Sequence, residues 1–270
     1  MSRIWRISGS AITYLWLLAF VGIPFVAVLT GALAGGWRPF WQCVTSQEAL
    51  FALRMTGEIT GVTLLVNLTL GVPMAFWIAR KTVPGWRMVQ WIVELPLAVS
   101  PVVAGLALIV VYGPNALLGR LLETVHIKVA FAFPGMVLAT VFLTLPFIVH
   151  ETVPAIRAIG NTQEQAAYVL GASPWRTLWR VWLPQLKWSL LYGLALTTAR
   201  SFGEFGAVLV VSGSIVMVTE TATLFVYQAS VNSELQAAYA VSATLALASF
   251  FLIVAMQFLK RVGGRSLRGH

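Results

Sequence analysis

The chain contains no aspartate, a single cysteine and only three histidines, so most kinds of catalytic or metal site lack their material. Cys43 has no second cysteine with which to form an internal disulfide. The histidines His126, His150 and His270 are scattered, which argues against a metal centre or a Ser-His-Asp triad. The sequence has no Gly-x-x-x-x-Gly-Lys-Ser/Thr phosphate loop either. We therefore expect no catalytic residue and no bound metal, and any ATP must be handled by another chain.

Charged residues are also scarce, at 10% of the chain against 59% hydrophobic residues, whereas a soluble domain carries about a quarter charged residues. Five uncharged runs exceed the roughly 20 residues that span a bilayer: residues 7–37, 59–79, 95–119, 129–149 and 235–259. A further apolar region is interrupted by Arg200 and Glu204. Because helices satisfy their own backbone groups in lipid, the sequence predicts an all-α, polytopic membrane protein with six transmembrane helices.

The net charge of +9 follows membrane topology rather than a nucleic-acid surface. With the N-terminus in the cytoplasm, thirteen lysines and arginines fall on the cytoplasmic side, four fall outside, and Arg200 lies within a span. This asymmetry obeys the positive-inside rule. We expect both termini to be cytoplasmic, the protein to lie among the lipids of a bacterial-type inner membrane, and no nucleic-acid partner.

Turn residues and prolines divide the apolar runs into spans near residues 12–33, 57–79, 93–112, 133–153, 188–211 and 235–259. Pro96 and Pro101 predict a kink or a delayed start in the third span. The outer loop after that span has room for a short helix, residues 117–124. The sequence has no repeat and no low-complexity linker, so we expect residues 1–270 to form one transmembrane domain.

A polar segment at about residues 160–184 separates two apolar spans and begins like a capped helix. Thr162 and, three residues later, Gln165 fit a capping box. Asn161 and Glu164 fit the same pattern equally well. Either pair predicts that a helix begins here, on the cytoplasmic side.

The rest of the segment predicts the end of that helix and a second one. Gly171 stands where a left-handed C-terminal cap belongs, and Ser173–Pro174 offers a cap and a first-position proline. Leu183–Pro184 is expected to stop the second helix and to start the fifth span. Large apolar residues recur on one face of the second helix: Trp175, Leu178, Trp179 and Trp182. Such a segment suits either a docking element for another protein or an interfacial amphipathic hairpin.

The segment resembles the cytoplasmic EAA loop of ABC-importer permeases, which reads Glu-Ala-Ala, a glycine four residues on, and Leu-Pro further downstream. The matching residues are Gln165–Ala166–Ala167, Gly171 and Leu183–Pro184. Since the family's glutamate falls on Gln165, either Gln165 is a neutral substitute or Glu164 takes over. The resemblance implies a type I importer permease whose coupling helix enters a groove of an ATPase subunit dimer, which binds ATP and Mg. The residues assigned to this coupling loop are Glu164, Gln165, Ala166, Ala167, Gly171, Ala172, Ser173 and Pro184.

Two further motifs narrow the resemblance to permeases of sulfate, molybdate and tungstate importers. Residues 95–106 and 200–208 carry these motifs, with Val211–Ile215 just after the second. Together they are most similar to the W-type subunit of sulfate/thiosulfate importers, over about residues 56–259. This implies import of sulfate or thiosulfate, an extracytoplasmic sulfate-binding protein and a second homologous permease subunit. The alternative is a molybdate or tungstate permease, which would be a homodimer.

Arg200 and Glu204 lie four residues apart in the fifth span, so on a helix they share one face and neutralise each other. Ionisable residues in a membrane are costly and generally face a bundle interior or an aqueous path. Two interpretations stay open: a translocation path or gate, and a structural pair that packs the helix against a partner subunit. The residues assigned to a path or gate are Arg200, Gly203, Glu204, Gly206, Ser212 and Ser100.

The combined expectation is a permease subunit that forms half of a translocation pathway, is driven by a separate ATPase and is not an enzyme. The first rival is a self-contained secondary transporter or channel. It should have an internal repeat or broken helices in corresponding halves, and the sequence indicates neither. The second rival, a membrane enzyme, lacks the catalytic residues it would need.

Overall fold

The computed structural model describes residues 13–81 and 84–266, with side chains up to residue 258. The described residues form helices and no strand, which confirms the all-α prediction. The helices are α1 (Thr13–Leu33), α2 (Trp37–Val44), α3 (Gln47–Arg80), α4 (Trp86–Ala98), α5 (Pro101–Tyr112), α6 (Leu117–Glu123), α7 (Phe133–Ile159), α8 (Thr162–Val169), α9 (Pro174–Phe202), α10 (Gly206–Ser212), α11 (Ala222–Val231) and α12 (Leu235–Ser266). The predicted short helix after the third span is α6. Helices α2 and α11 were not predicted.

Four helices, α1, α3, α7 and α12, are each long and apolar enough to cross a membrane. The pairs α4–α5 and α9–α10 pass the same test only together, and they are bent by 115° and 60° at their breaks. Counting each pair as one span gives the six predicted spans. Helix α3 has 34 residues and is therefore about 50 Å long, well beyond a hydrocarbon core of about 30 Å.

The break in the third span follows from its second proline. Pro101 is the first residue of α5, and a proline drives the residue before it out of the helical region. Val99 and Ser100 are accordingly extended, with ψ angles of 135° and 136°. Pro96 stays inside α4. The predicted start of this span near residue 93 is wrong, because α4 already begins at Trp86.

The centre of the bundle lies where α3 and α9 pack on α7. The side-chain amide of Asn67 donates a buried hydrogen bond of 2.7 Å to Thr144 Oγ1, which joins α3 to α7. A Cβ atom at Gly71 would lie 3.0 Å from Ile148 Cγ2, and one at Gly193 would lie 3.2 Å from Ile148 Cα. Small residues at these crossings let the helix backbones approach closely, as is typical of membrane bundles.

The two half-helices after the breaks, α5 and α10, pack directly on each other. A Cβ atom at Gly105 would lie 2.7 Å from the backbone oxygen of Ala207. One turn earlier in α5, a Cβ at Gly206 would lie 3.1 Å from Pro101 Cβ. The two broken spans therefore meet close to their breaks, with no side chain between the backbones at Gly105.

Candidate functional site

The segment of residues 160–184 extends from one end of the bundle, and its helix α8 ends as predicted. Gly171 has a φ angle of +78°, in the left-handed region that favours glycine. Its backbone N–H donates to Tyr168 O at 2.9 Å, and the N–H of Ala172 donates to Ala167 O at 2.9 Å. These bonds use carbonyl groups that the end of the helix would leave without partners. The predicted glycine cap is confirmed.

The predicted capping box at the start of α8 is wrong. Asn161 precedes the helix, but its side chain makes no cap hydrogen bond, and Thr162 is already helical. Glu164 turns towards the bundle instead and is 6% exposed. Its Oε2 lies 2.5 Å from Arg80 Nη2, and its Oε1 accepts a hydrogen bond of 3.0 Å from the Tyr168 hydroxyl. An ion pair with a residue 84 positions away has replaced the local cap.

The buried position of Glu164 decides which side chain faces outward at the start of α8. Gln165 and Ala166 are exposed and Ala167 is half-buried. The hydrogen bond from Tyr168 to Glu164 raises the pKa of the Tyr168 hydroxyl, with smaller contributions from burial and from the negative charge of Glu164. A docking partner that approached this face would therefore meet the neutral amide of Gln165.

The second helix of the segment begins as predicted but does not stop as predicted. The Ser173 hydroxyl accepts a hydrogen bond of 3.3 Å from the Arg176 N–H, and Pro174 is the first helical residue. Leu183–Pro184 does not end the helix, because residues 178–182 form a π turn in which Leu183 N donates to Leu178 O. Proline has no N–H and its ring crowds the carbonyl four residues back, so a wider turn accommodates it.

The outer end of the segment is apolar and exposed. Val169, the last residue of α8, and Leu170, which follows it, are each 87% exposed. Trp175 and Trp179 are also exposed, with an edge-to-face contact of 5.6 Å between their rings, whereas Trp182 is buried against Phe76. The predicted tryptophan face is thus divided into an outward part and an inward part. Large exposed apolar residues at one place mark a site of interaction with a protein or with a membrane surface, so both interpretations of the segment stay open.

Arg200 and Glu204 form the predicted ion pair, but not on one helix. Helix α9 ends at Phe202, so Glu204 lies in the break before α10. Arg200 Nη1 lies 2.7 Å from Glu204 Oε2, and the Glu204 side chain is 2% exposed against 33% for Arg200. Glu204 Oε1 also accepts a hydrogen bond of 3.1 Å from the Ala207 N–H at the start of α10. The carboxylate therefore holds both sides of the break together.

The other predicted path residues fall into two places. Gly203 lies in the break after α9, Gly206 contacts Pro101, and exposed Ser100 precedes that proline, so these residues lie near the meeting point of the two broken spans. Ser212 is at the far end of α10, fully buried, where its hydroxyl accepts a hydrogen bond of 3.0 Å from the Ser214 N–H. A cavity of about 540 Å³ opens beside Gly203, between α9, α11 and α12.

The sequence predicted a kink or a delayed start only in the third span, whereas the structure has two broken spans. They are the third and the fifth of six. These positions do not correspond in a chain divided into two halves of three spans, so the expected pattern of an inverted repeat does not arise from them.

Sequence reasoning missed Glu220, which lies in the connection between α10 and α11. It is 1% exposed, and Ala222, two residues later, donates its N–H to Thr56 Oγ1 at 2.9 Å. Burial raises the pKa of the Glu220 carboxyl, a hydrogen bond from the Met217 backbone opposes this, and the negative charge of Glu48 adds to it. Nothing in the sequence marks this glutamate, because its burial depends on how the connection packs against α3.

Glu220→Gln is expected to stabilise the protein at neutral pH. A raised carboxyl pKa means that the folded state favours the neutral form of Glu220. The protonated carboxyl therefore contributes its full stabilisation below the ordinary pKa of 4.5, and this contribution is lost as the pH rises through the folded-state pKa. Glutamine is neutral at every pH, and we expect it to raise Tm at pH 7.5 by about 2–4 °C, the shift for about 1 kcal/mol. The gain should shrink towards pH 4.5. Tm in detergent is measured across this range, with the exposed Glu234→Gln as control, and a lower Tm at every pH would contradict the prediction.

The bundle and its apolar, capped projecting segment define a multi-pass helical membrane protein. Residues 68–268 match the family model described as "Binding-protein-dependent transport system inner membrane component". The match covers well over half of the chain, and the chain belongs to this family.

Individual relatives and a solved structure agree with this assignment. The chain is 41% identical to the sulfate transport system permease protein CysW of Synechococcus elongatus, over 97% of this chain and 91% of the relative. It is 30% identical to the sulfate transport system permease protein CysT of Escherichia coli, over 97% and 94%. In fold it is similar to a chain of a bacterial alginate ABC transporter solved with an alginate pentasaccharide-bound periplasmic protein, with a TM-score of 0.73, 18% identity and coverage of 98% and 96%. The predicted fold of an ABC-importer permease is confirmed.

Proposed function

We propose that the chain is the permease subunit of an ATP-driven importer of sulfate, with thiosulfate as a further substrate. The high identity to a sulfate permease named CysW, over almost the whole chain, supports this. The lower identity to CysT favours the W type and suggests that a second, homologous permease subunit supplies the other half of the pathway.

The exposed apolar end of α8 carries the coupling part of the proposal. Val169 and Leu170 project from the bundle, whereas Glu164 is bound to it. A partner that holds the exposed end of α8 can therefore move the end that carries Glu164. The partner is an ATPase subunit dimer that binds ATP and Mg, since this sequence has no phosphate loop. The residues proposed to form its contact are Gln165, Ala166, Ala167, Gly171, Ala172, Ser173 and Pro184, with Glu164 behind them.

An extracytoplasmic sulfate-binding protein is proposed to deliver the anion. The complex of the alginate transporter with its periplasmic protein supports this arrangement. The segment of residues 160–184 is then cytoplasmic, as the basic residues at that end of the bundle favour. Cytoplasmic termini and one domain over residues 1–270 complete the proposal, although residues 1–12 and 267–270 lie outside the described part.

The gate is proposed to lie where the two broken spans meet. Ser100, Gly203 and Gly206 surround this point, and the Arg200–Glu204 pair closes the break in the fifth span. A tilt of α9 would act directly on this pair. Ser212 is proposed to serve the same path from the far end of α10, where it supports the connection to α11.

Reconstitution tests the proposed function. The chain is purified with the second permease and the ATPase of the same system and placed in liposomes, with the binding protein outside and ATP and Mg inside. We expect radiolabelled sulfate uptake that needs every component and that thiosulfate inhibits more strongly than molybdate or tungstate. Uptake by this chain without an ATPase would contradict the proposal and favour a secondary transporter or channel.

A further inference from the structure

Arg80, the last residue of α3, makes a contact that neither the family match nor the proposed docking surface requires. Its guanidinium lies 2.5 Å from the buried carboxylate of Glu164 in α8. The Arg80 side chain is 34% exposed and the Glu164 side chain 8%. Because the carboxylate is largely shielded from water, this pair is screened less than a surface ion pair.

Aromatic rings fix the guanidinium in place. The Arg80 Cζ atom lies 5.5 Å from the ring centre of Phe76 and 5.6 Å from that of Trp182, within the range of a cation–π contact. The two rings contact each other edge to face at 5.0 Å. Tyr168 occupies the second carboxylate oxygen of Glu164. The contact therefore joins three elements: the end of α3, helix α8 and the start of α9.

Chain connectivity alone would hold α8 loosely. It is linked to α7 through Gly160, with a φ angle of +68°, and to α9 through Gly171, with a φ angle of +78°. Glycine joints of this kind allow wide backbone freedom. Besides the Arg80 contact, a hydrogen bond between Gln163 and Gln185 ties α8 to α9. Only the Arg80 contact reaches α3 among the side-chain hydrogen bonds and ion pairs described for α8.

We propose that Arg80 is a positioning residue that transmits movement of α8 to α3. The proposal rests on the proposed function, in which an ATPase moves α8. A pull on α8 then reaches α3 through the ion pair and reaches α7 through the packing of α3 on it. Without the pair, α8 still docks, but the bundle follows its movement poorly.

Two measurements test this role. The first compares sulfate uptake with ATP hydrolysis in reconstituted complexes that carry Arg80→Gln, a change outside the residues proposed to contact the ATPase. We expect the ATPase to co-purify in normal amount and hydrolysis to stay within about threefold, while uptake falls by about tenfold, within the usual range of a coupling effect. Uptake per ATP hydrolysed therefore falls. Arg80→Lys should give an uptake per ATP between those of the wild type and Arg80→Gln, because lysine keeps the charge but loses the planar stacking of the guanidinium.

The second measurement uses the isolated permease in detergent and needs no ATPase. A double-mutant cycle is formed from the Tm values of Arg80→Gln, Glu164→Gln and the double variant. We expect the fall in Tm of the double variant to be smaller than the sum of the falls of the two single variants. Arg87→Gln is the matched control for both measurements, since Arg87 is an exposed arginine near Arg80 that stacks on Trp86.

The outcomes separate the two proposals. Additive Tm changes, or unchanged sulfate uptake by the Arg80→Gln complex, would overturn the role of Arg80. Uptake and hydrolysis that fall in parallel would also overturn it, because they would indicate a purely structural pair. If the cycle is non-additive but wild-type uptake proves independent of any ATPase, the ion pair stands and the proposed function fails, and the transmission role fails with it.

Discussion

Gly171→Pro is expected to lower sulfate uptake by more than about 100-fold while the membrane bundle remains folded. Proline requires a φ angle near −65°, whereas Gly171 has +78°. It also removes the N–H that donates to Tyr168 O and so opens the end of α8. A cost of about 3 kcal/mol is confined to the projecting segment, and it corresponds to more than a hundredfold loss of the docking-competent state. Uptake is measured in cells that lack their own sulfate permease, with permease levels checked by immunoblot.

Two control variants make the Gly171 result specific. Gly171→Asn should retain most uptake, because asparagine tolerates the left-handed conformation at a helix end. Gly57→Ala, in an exposed part of α3 where a Cβ meets nothing within 4 Å, should behave as wild type. Near-normal uptake by Gly171→Pro at a normal permease level would show that this segment does not couple ATP hydrolysis to transport.

Arg200→Met is expected to destabilise the folded permease by about 3 kcal/mol. The substitution leaves the Glu204 carboxylate buried without its cation, and breaking a buried pair from one side typically costs about 3–5 kcal/mol. We take the lower value because the Arg200 side chain is one-third exposed. The corresponding fall in Tm is about 6–12 °C for a chain of this size. Tm in detergent and the yield of monodisperse protein measure the effect.

A second arginine–glutamate pair provides the control. Arg54 and Glu58 are also four residues apart and also 2.7 Å from each other, but their side chains are 81% and 46% exposed. Arg54→Met should therefore cost less than about 1 kcal/mol. If Arg200→Met costs no more than Arg54→Met, the buried pair is not what holds the break together.

The double variant Arg200→Met with Glu204→Gln distinguishes the two interpretations of the pair. Glutamine still accepts the hydrogen bond from the Ala207 N–H, and no unpaired charge remains, so most of the lost stability should return. Full uptake by this stable variant would favour a structural pair. Stable protein without uptake would favour a gate or path.

Local features of the candidate site could be predicted from the sequence because they depend on a few neighbouring residues. The glycine cap at Gly171 and the Ser173–Pro174 start follow from backbone conformation and short-range hydrogen bonds. The break at Pro101 follows from the steric effect of proline on the residue before it. The spans could be placed because lipid imposes their length and apolarity.

The features that could not be predicted depend on distant residues or on rare backbone geometry. The capping box at Glu164 failed because Arg80, which is 84 residues away, offers that carboxylate a stronger partner. The stop at Pro184 failed because a π turn absorbs the proline, and no pattern in residues 178–182 announces it. The break at Gly203 was missed because glycine permits a break without requiring one. In addition, Glu204 lies beyond the end of α9 and still reaches Arg200 with its carboxylate.

The π turn at residues 178–182 also sets the direction in which the projecting segment faces. One such turn takes up an extra residue, which rotates everything before it by about 100° around the helix axis relative to everything after it. Trp175, which precedes the turn, can then point away from the bundle while Leu186, which follows it, points into the bundle. Deleting one residue from this turn would swing Trp175 to a different side of the helix axis and misalign the segment with any partner, although residues 165–167 and 171–173 would all be unchanged.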